Sequence, residues 1–149
     1  MSFRKLFKPK TMAIIGVSLS NDRHPANVVY NKNQLRYPVK VFPVNPRGGS
    51  LQGETVFKNM SEIPEKIDLA VIAVRAEQVP DIVSDCIHAQ AAGAAVISGG
   101  FSESGRMDLQ ERIVAIAQKA NFPLIGPNCL GIYSPSNVDT FFLPSERMV

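Results

Sequence analysis

The stretch MAIIGVSLSNDRHPANVV, residues 12–29, joins an apolar run to the start of a helix through a short polar loop. The run Met12–Ile15 is typical of a buried strand, and Gly16 follows it directly. A nucleotide-binding loop begins in the same way, but the pattern G-x-G-x-x-G is incomplete because Ser18 stands at the second glycine position and an asparagine at the third. The stretch therefore predicts a strand-to-helix unit. Its loop is either a damaged dinucleotide site, a site for another phosphate ligand, or an ordinary turn.

The same alternation of apolar runs and helical patterns continues along the sequence. The runs are nearly continuous in apolar residues, as expected for parallel strands that are covered on both faces. Five strands are predicted, at Met12–Ile15, Val39–Val44, Leu69–Val74, Ala94–Ser98 and Pro123–Ile125. This β-α-β order predicts an α/β protein with a Rossmann-like, doubly wound and mainly parallel sheet in three α/β/α layers.

Three helices are predicted between the strands, from apolar residues that recur with a period near 3.6. The two clearer ones are Gln78–Ala92, which Gly93 is expected to end, and Asp108–Asn121. The segment Ala26–Leu35 is a weaker helix. Residues 1–10 are basic and are predicted to form an N-terminal extension or a solvated helix.

The composition is that of an ordinary globular domain, with 149 residues, 45% hydrophobic, 19% charged and a net charge of +3. The charge is too mild to indicate a nucleic-acid partner, and no run has the length of a membrane span or the form of a signal peptide. Cys86 and Cys129 show neither metal-ligand spacing nor a disulfide pattern. We therefore expect one cytoplasmic domain over residues 1–149, with no metal site and no membrane or nucleic-acid partner.

In a sheet of this kind, ligands bind beyond the carboxyl ends of the strands. The second strand is followed by Asn45, Pro46 and Arg47, with no acid that could hold the ribose hydroxyls of NAD. The guanidinium of Arg47 can instead bind phosphate oxygens in a bidentate way. This position disfavours NAD and leaves NADP and coenzyme A, which both carry a phosphate on the adenosine ribose. The alternative is that Arg47 is a solvated residue of an ordinary turn and binds no ligand.

The ends of other strands add groups that suit a phosphate or a flat ring. Gly16, Val17 and Ser18 can offer donors beside the N-terminus of the following helix. Gly99 and Gly100 have no side chains, so a ring could approach the backbone after the fourth strand, although a plain turn explains them as well.

The order of these segments resembles the CoA-binding domain of NDP-forming acyl-CoA synthetases, which are relatives of the succinyl-CoA ligase alpha subunit. The resemblance extends from about Phe7 to Pro135 and rests on Ala13–Ser18, Phe42–Pro46, Asp68–Ile72, Ser98–Glu103 and Leu124–Gly131. The most specific of these motifs is GPNCLG, residues 126–131.

The resemblance implies that the chain binds the adenosine 3′-phosphate-diphosphate part of coenzyme A or of an acyl-CoA. It implies these binding residues: Gly16, Val17, Ser18, Asn45, Pro46, Arg47, Val74, Ser98, Gly99, Gly100, Phe101 and Asn128. The cations Arg23, in the first loop, and Arg75, after the third strand, are predicted to join them. Two positions depart from the family pattern. Pro25 replaces a common glycine and removes a backbone donor, and Arg75 replaces a common proline and adds a cation.

The resemblance implies no catalytic residue in this chain. Synthetases of this family pass a phosphoryl group through a histidine of the next domain, and neither His24 nor His88 has a neighbouring carboxylate in sequence that would orient it. The ATP-grasp domain of the family is not represented either. We therefore expect the first domain of a longer acid–thiol ligase, or of a related protein acetyltransferase. It would bind CoA, meet downstream ligase and ATP-grasp domains or subunits, and perform no ligation alone.

Two alternatives stay open from the residues alone. An NADP-binding enzyme domain is supported by Arg47 and opposed by the absent glycines of the first loop. A Rossmann-like regulatory or interaction domain with an unused site is supported by Pro25, which could narrow that loop.

Overall fold

Nine strands lie in the part of the chain that the computed structural model describes, which is residues 4–21, 23–97, 107–126, 133–134 and 138–139. In chain order they are β1 (Thr11–Ile15), β2 (Lys40–Val44), β3 (Ser50–Leu51), β4 (Glu54–Thr55), β5 (Leu69–Ile72), β6 (Ala94–Val96), β7 (Leu124–Ile125), β8 (Tyr133–Ser134) and β9 (Val138–Asp139). Five of them form one sheet in the order β2-β1-β5-β6-β7, with every neighbouring pair parallel. All five predicted strands are therefore confirmed.

The strand order contains one reversal, and it lies between β1 and β5. From β1 the chain moves outward to β2, and it then returns across the sheet to β5 before it continues to β6 and β7. In doubly wound sheets the crevice at such a switch point is where ligands bind.

The helices are α1 (Arg4–Phe7), α2 (Pro25–Arg36), α3 (Val79–His88) and α4 (Met107–Lys119), with short 3₁₀ turns at Met60–Glu62 and Ala76–Gln78. The three predicted helices correspond to α2, α3 and α4, and α1 lies within the basic N-terminal segment. None of the helices within the described ranges has the length and apolarity that a membrane span needs.

The core consists of two clusters, one on each face of the sheet. Along β1, Ala13 and Ile15 belong to the cluster that α3 and α4 cover, whereas Met12 and Ile14 belong to the cluster that α2 covers. All four side chains are at most 3% exposed. Because a buried strand with alternating side chains needs cover on both faces, the three-layer arrangement follows, and the predicted fold class is confirmed.

Some predicted boundaries are corrected by the structure. The helix predicted as Gln78–Ala92 ends at His88, and Gln90 then turns the chain with a φ of 60°, so Gly93 does not end the helix. The strand predicted as Leu69–Val74 ends at Ile72, beside the point where β1 turns away at Gly16.

Candidate functional site

A cavity of about 850 Å³ lies at the switch point, over the carboxyl ends of β1 and β5. Gly16 and Val74 line it from these two strand ends, and Asn45 lines it from the end of β2. Further parts of the wall come from the loop at Lys58–Met60, the start of α2, the 3₁₀ turn at Ala76–Gln78 and one side of α3. The cavity therefore lies where the fold predicts a ligand site.

The structure brings part of the predicted site together. The predicted residues that line the cavity are Gly16, Asn45, Pro46, Val74 and Arg75. Four others are described but do not line it, namely Val17, Ser18, Arg23 and Arg47. The last group lies outside the described residues and consists of Ser98, Gly99, Gly100, Phe101 and Asn128.

Residue 16 has to be a glycine because the ends of β1 and β5 approach each other closely there. Its φ is +109°, and a Cβ at this position would come within 2.3 Å of the carbonyl oxygen of Ala73. A side chain would therefore both strain the backbone and push the end of β5 away. The glycine joins the ends of β1 and β5 into one continuous wall.

Two asparagine side chains hold the loop after Gly16. Asn27, which is fully buried, accepts from the N–H of Ser18 at 2.6 Å and donates to the carbonyl of the same residue at 2.9 Å. Asn45 donates to the carbonyl of Val17 at 2.7 Å and accepts from the N–H of Arg47 at 2.8 Å. The N–H of Ser18 is thus used within the loop, and the role of Asn27 was not predicted.

The start of α2 also uses its donors internally. The Nδ1 atom of His24 accepts from the N–H of Ala26 at 3.2 Å, which makes His24 the N-cap of the helix. Pro25 at the first helical position has no N–H to offer. His24 lines the cavity, and partial burial lowers the pKa of its imidazole. A neutral imidazole that accepts at Nδ1 carries its proton on Nε2, so His24 adds one N–H group to this end of the helix.

Lys58 is a cavity residue that sequence reasoning missed. It follows Phe57, which pairs with Val44 as a parallel bridge beside the end of β2. Arg47, the cation predicted at this strand end, is exposed in the adjoining turn and does not line the cavity. The only sequence signal for Lys58 was the apolar pair before it, which is typical of a segment that returns to a sheet.

The cavity wall carries charges of both signs. Lys58 follows the bridge beside the end of β2, and Arg75 is the N-cap of the 3₁₀ turn, whereas the acids Glu77, Asp81 and Asp85 belong to that turn and to α3. No group of three or more His, Cys, Asp or Glu residues that could hold a metal ion occurs among the residues whose positions are given. The wall thus offers charged groups and hydrogen-bonding groups to a ligand.

Comparison with known families gives one assignment for most of the chain. The family model described as the CoA binding domain matches residues 10–135. ADP-forming acetate–CoA ligase II of Archaeoglobus fulgidus is 34% identical over 136 residues, which are 90% of this chain and 20% of that protein. ADP-forming acetate–CoA ligase I subunit alpha of Pyrococcus furiosus is 32% identical, and the match covers 98% of this chain and 33% of that subunit.

A solved structure agrees with this assignment. The dinucleotide forming acetyl-coenzyme A synthetase 1 of Candidatus Korarchaeum cryptofilum, in complex with phosphate and ADP, superposes with a TM-score of 0.88 and 30% sequence identity. The match covers 96% of this chain and 31% of the synthetase. The chain therefore spans between a fifth and a third of the length of these relatives. The resemblance inferred from the sequence is confirmed, and the chain belongs to the CoA binding domain family of NDP-forming acyl-CoA synthetases.

Proposed function

We propose that the cavity binds the adenosine 3′-phosphate-diphosphate part of coenzyme A or of an acyl-CoA. The observation that carries this proposal is the position of the cavity, between β1 and β5 of a chain that the CoA binding domain matches over residues 10–135. The relatives are named as ligases that join acids to CoA, so a site for CoA suits the chain. The chain would act as the CoA-binding module of such an enzyme.

The size of the cavity supports a ligand of this class. Small-molecule sites measure roughly 300–1,000 Å³, and this cavity measures about 850 Å³. Its wall combines apolar side chains, such as Ile15, Val44 and Ile82, with nearly as many polar and charged ones. An adenosine with phosphates at both ends needs the same combination, because its base is flat and largely apolar and its phosphates are charged.

The placement of Lys58 and of the acids of α3 favours one orientation of the ligand. Phosphates are attracted to Lys58 beside the end of β2, and they are repelled by Asp81 and Asp85 of α3. A carboxylate can instead accept a hydrogen bond from the amino group of an adenine. We propose that the phosphates lie toward the strand ends and the base toward α3. Arg47, Ser98–Phe101 and Asn128 remain proposed contacts of the same ligand.

The first prediction concerns which ligands stabilise the chain. CoA and acetyl-CoA should raise the unfolding temperature, dephospho-CoA should raise it less, and NAD should leave it unchanged, because a ribose phosphate is expected in the site. A ligand at about 100 times its dissociation constant adds about 2.7 kcal/mol to the free energy of unfolding. A thermal-shift series that includes NADP and AMP measures the ranking. Stabilisation by NADP alone, or by none of these ligands, would contradict the proposal.

We further propose that ligation needs parts outside this chain. Because the chain spans between a fifth and a third of the relatives, the phosphoryl-carrying histidine and the ATP-grasp domain of the family are proposed to lie in a downstream domain or a separate subunit. The CoA-binding module would then supply the thiol substrate to that partner.

A further inference from the structure

Lys58 is the cation of the cavity wall that lies next to the turn after β2, and its side chain lies against Gly48 of that turn. We infer that its ammonium group contacts the phosphate on the adenosine ribose, so that Lys58 is the residue that distinguishes coenzyme A from dephospho-coenzyme A. The inference rests on the proposed function. It assigns to Lys58 the contact with the ribose phosphate that the sequence indicated for Arg47.

The backbone on both sides of Lys58 is tied to the structure around it. The N–H of Phe57 donates to the carbonyl of Pro43 at 3.0 Å, and the carbonyl of Phe57 accepts from the N–H of Asn45 at 2.9 Å. The N–H of Lys58 itself donates to the Glu62 carboxylate at 3.0 Å. The backbone of Lys58 is therefore held beside the end of β2.

The side chain of Lys58 runs across Gly48 toward this turn. If residue 48 had a Cβ, that atom would lie 3.3 Å from the Cγ of Lys58 and 3.2 Å from its Cε. Gly48 has a φ of +67° and donates to the carbonyl of Asn45 at 2.9 Å, which closes the turn. Because Cε already lies against Gly48, the ammonium one bond further lies beside the turn that contains Asn45, Pro46 and Arg47.

The ammonium of Lys58 is available for an anion. No carboxylate within the described ranges forms an ion pair with it, in contrast to Lys40, which is paired with Glu65. Arg47 differs in position: the side chains of both residues are exposed, but only that of Lys58 lines the cavity. A phosphate held in the cavity can therefore contact the ammonium of Lys58 through a charge-assisted hydrogen bond, which is stronger than a neutral one.

Titration calorimetry with CoA and with dephospho-CoA tests this inference. Lys58→Met should weaken binding of CoA by about tenfold or more, the loss expected for one hydrogen bond to a charged group. Binding of dephospho-CoA should stay nearly unchanged, so the ratio of the two affinities should fall. Lys58→Arg should restore most of the ratio, and Arg47→Met should reduce it less than Lys58→Met does.

The matched control is Lys66→Met, which removes one exposed positive charge at the amino-terminal end of β1, where the Lys66 carbonyl accepts from the Thr11 hydroxyl. It should leave the ratio unchanged. If Lys58→Met kept the affinity ratio of the parent, or lost affinity for both ligands equally, the inference would be overturned while the proposed function stands. Failure of the parent chain to bind either ligand would instead overturn the proposed function. Because the Lys58 side chain is exposed, Lys58→Met should fold like the parent, which circular dichroism checks.

Discussion

His24 belongs both to the folding of a helix and to the wall of the candidate site. Its Nδ1 atom accepts from the N–H of Ala26, and only the neutral ring can do so, because both ring nitrogens of the charged form are donors. Partial burial also lowers its pKa below the ordinary value of 6.5, because burial disfavours the charged form. The cap and the burial therefore favour the same protonation state.

The stability of the chain should consequently depend on pH through His24. Around pH 6.5 the unfolded chain binds more protons at this residue than the folded chain does. The stability that neutral His24 contributes is thus complete above pH 6.5 and is lost as the pH falls through the lowered pKa of the folded state. Urea unfolding of the parent chain above and below this pH measures the loss.

His24→Asn is the matched variant, because asparagine is a good N-cap and does not titrate. It should lose less stability than the parent over the same pH interval. His24→Ala removes the cap and should cost about 1 kcal/mol at neutral pH. If the unfolding free energies of the parent and of His24→Asn fell equally with pH, this account of His24 would be contradicted.

Single residues also show how far the site could be predicted from the sequence. Gly16 and Asn45 were predicted because they follow apolar strands, and strand ends meet at one edge of a parallel sheet. Lys58 and Asn27 were not, since their positions depend on which distant backbone they meet: Lys58 follows a bridge to Val44, and Asn27 binds Ser18 across nine residues of chain. A pattern of local residue types does not encode such contacts.

At the scale of whole elements, α2 and the first loop form one unit. Asn27 lies on the buried side of the helix and makes two hydrogen bonds with the backbone of Ser18. The helix therefore fixes the loop through Asn27, while its buried residues Ala26, Val29 and Tyr30 pack in the core cluster on the same face of the sheet.

Asn27→Ala should loosen this unit. The substitution leaves the N–H and the carbonyl of Ser18 without their partners in a partly buried place, which should cost about 1–3 kcal/mol of unfolding free energy. Affinity for CoA should fall as well if the loop lies against the ligand. Urea unfolding and calorimetry measure the two effects.

Asn31→Ala is the control for this substitution, because Asn31 is the same residue type on the same helix and bonds to Gln52 at the surface. It should change stability far less. If Asn27→Ala and Asn31→Ala were equally mild, the bonds to Ser18 would not be what holds the loop.

The elements of the sheet were predictable to different degrees. The five parallel strands are buried on both faces, so their apolar runs identify them in the sequence. The pair β3 and β4 was not predicted, because two strands of two residues each leave no periodic signal. The segment after this pair carries Lys58. Because the pair was not predicted, the position of Lys58 in the site was not predicted either.

At the scale of the whole molecule, the described residues contain binding groups but no arranged nucleophile. The Nδ1 atom of His24 accepts from Ala26, and that of His88 lies 2.9 Å from the carbonyl of Ser84. Burial raises the pKa of the Cys86 thiol to about 12, so it stays protonated at neutral pH. A thiol that stays protonated is a poor nucleophile, because the thiolate is the reactive form.

The chain alone should therefore accept no phosphoryl group. After incubation with ATP or acetyl phosphate, with and without CoA, mass spectrometry should find no phosphohistidine, and no acetyl-CoA should form from acetate. A sample treated with phosphoramidate, which phosphorylates histidine chemically, shows that the modification would be detected. Phosphate on His24 would mean that its Nε2 atom, which faces the side of the ring away from Ala26, acts as an acceptor and that the cavity is a reaction site. Phosphate on His88 would place that chemistry at the end of α3, away from the cavity wall, and would contradict the location of the site itself.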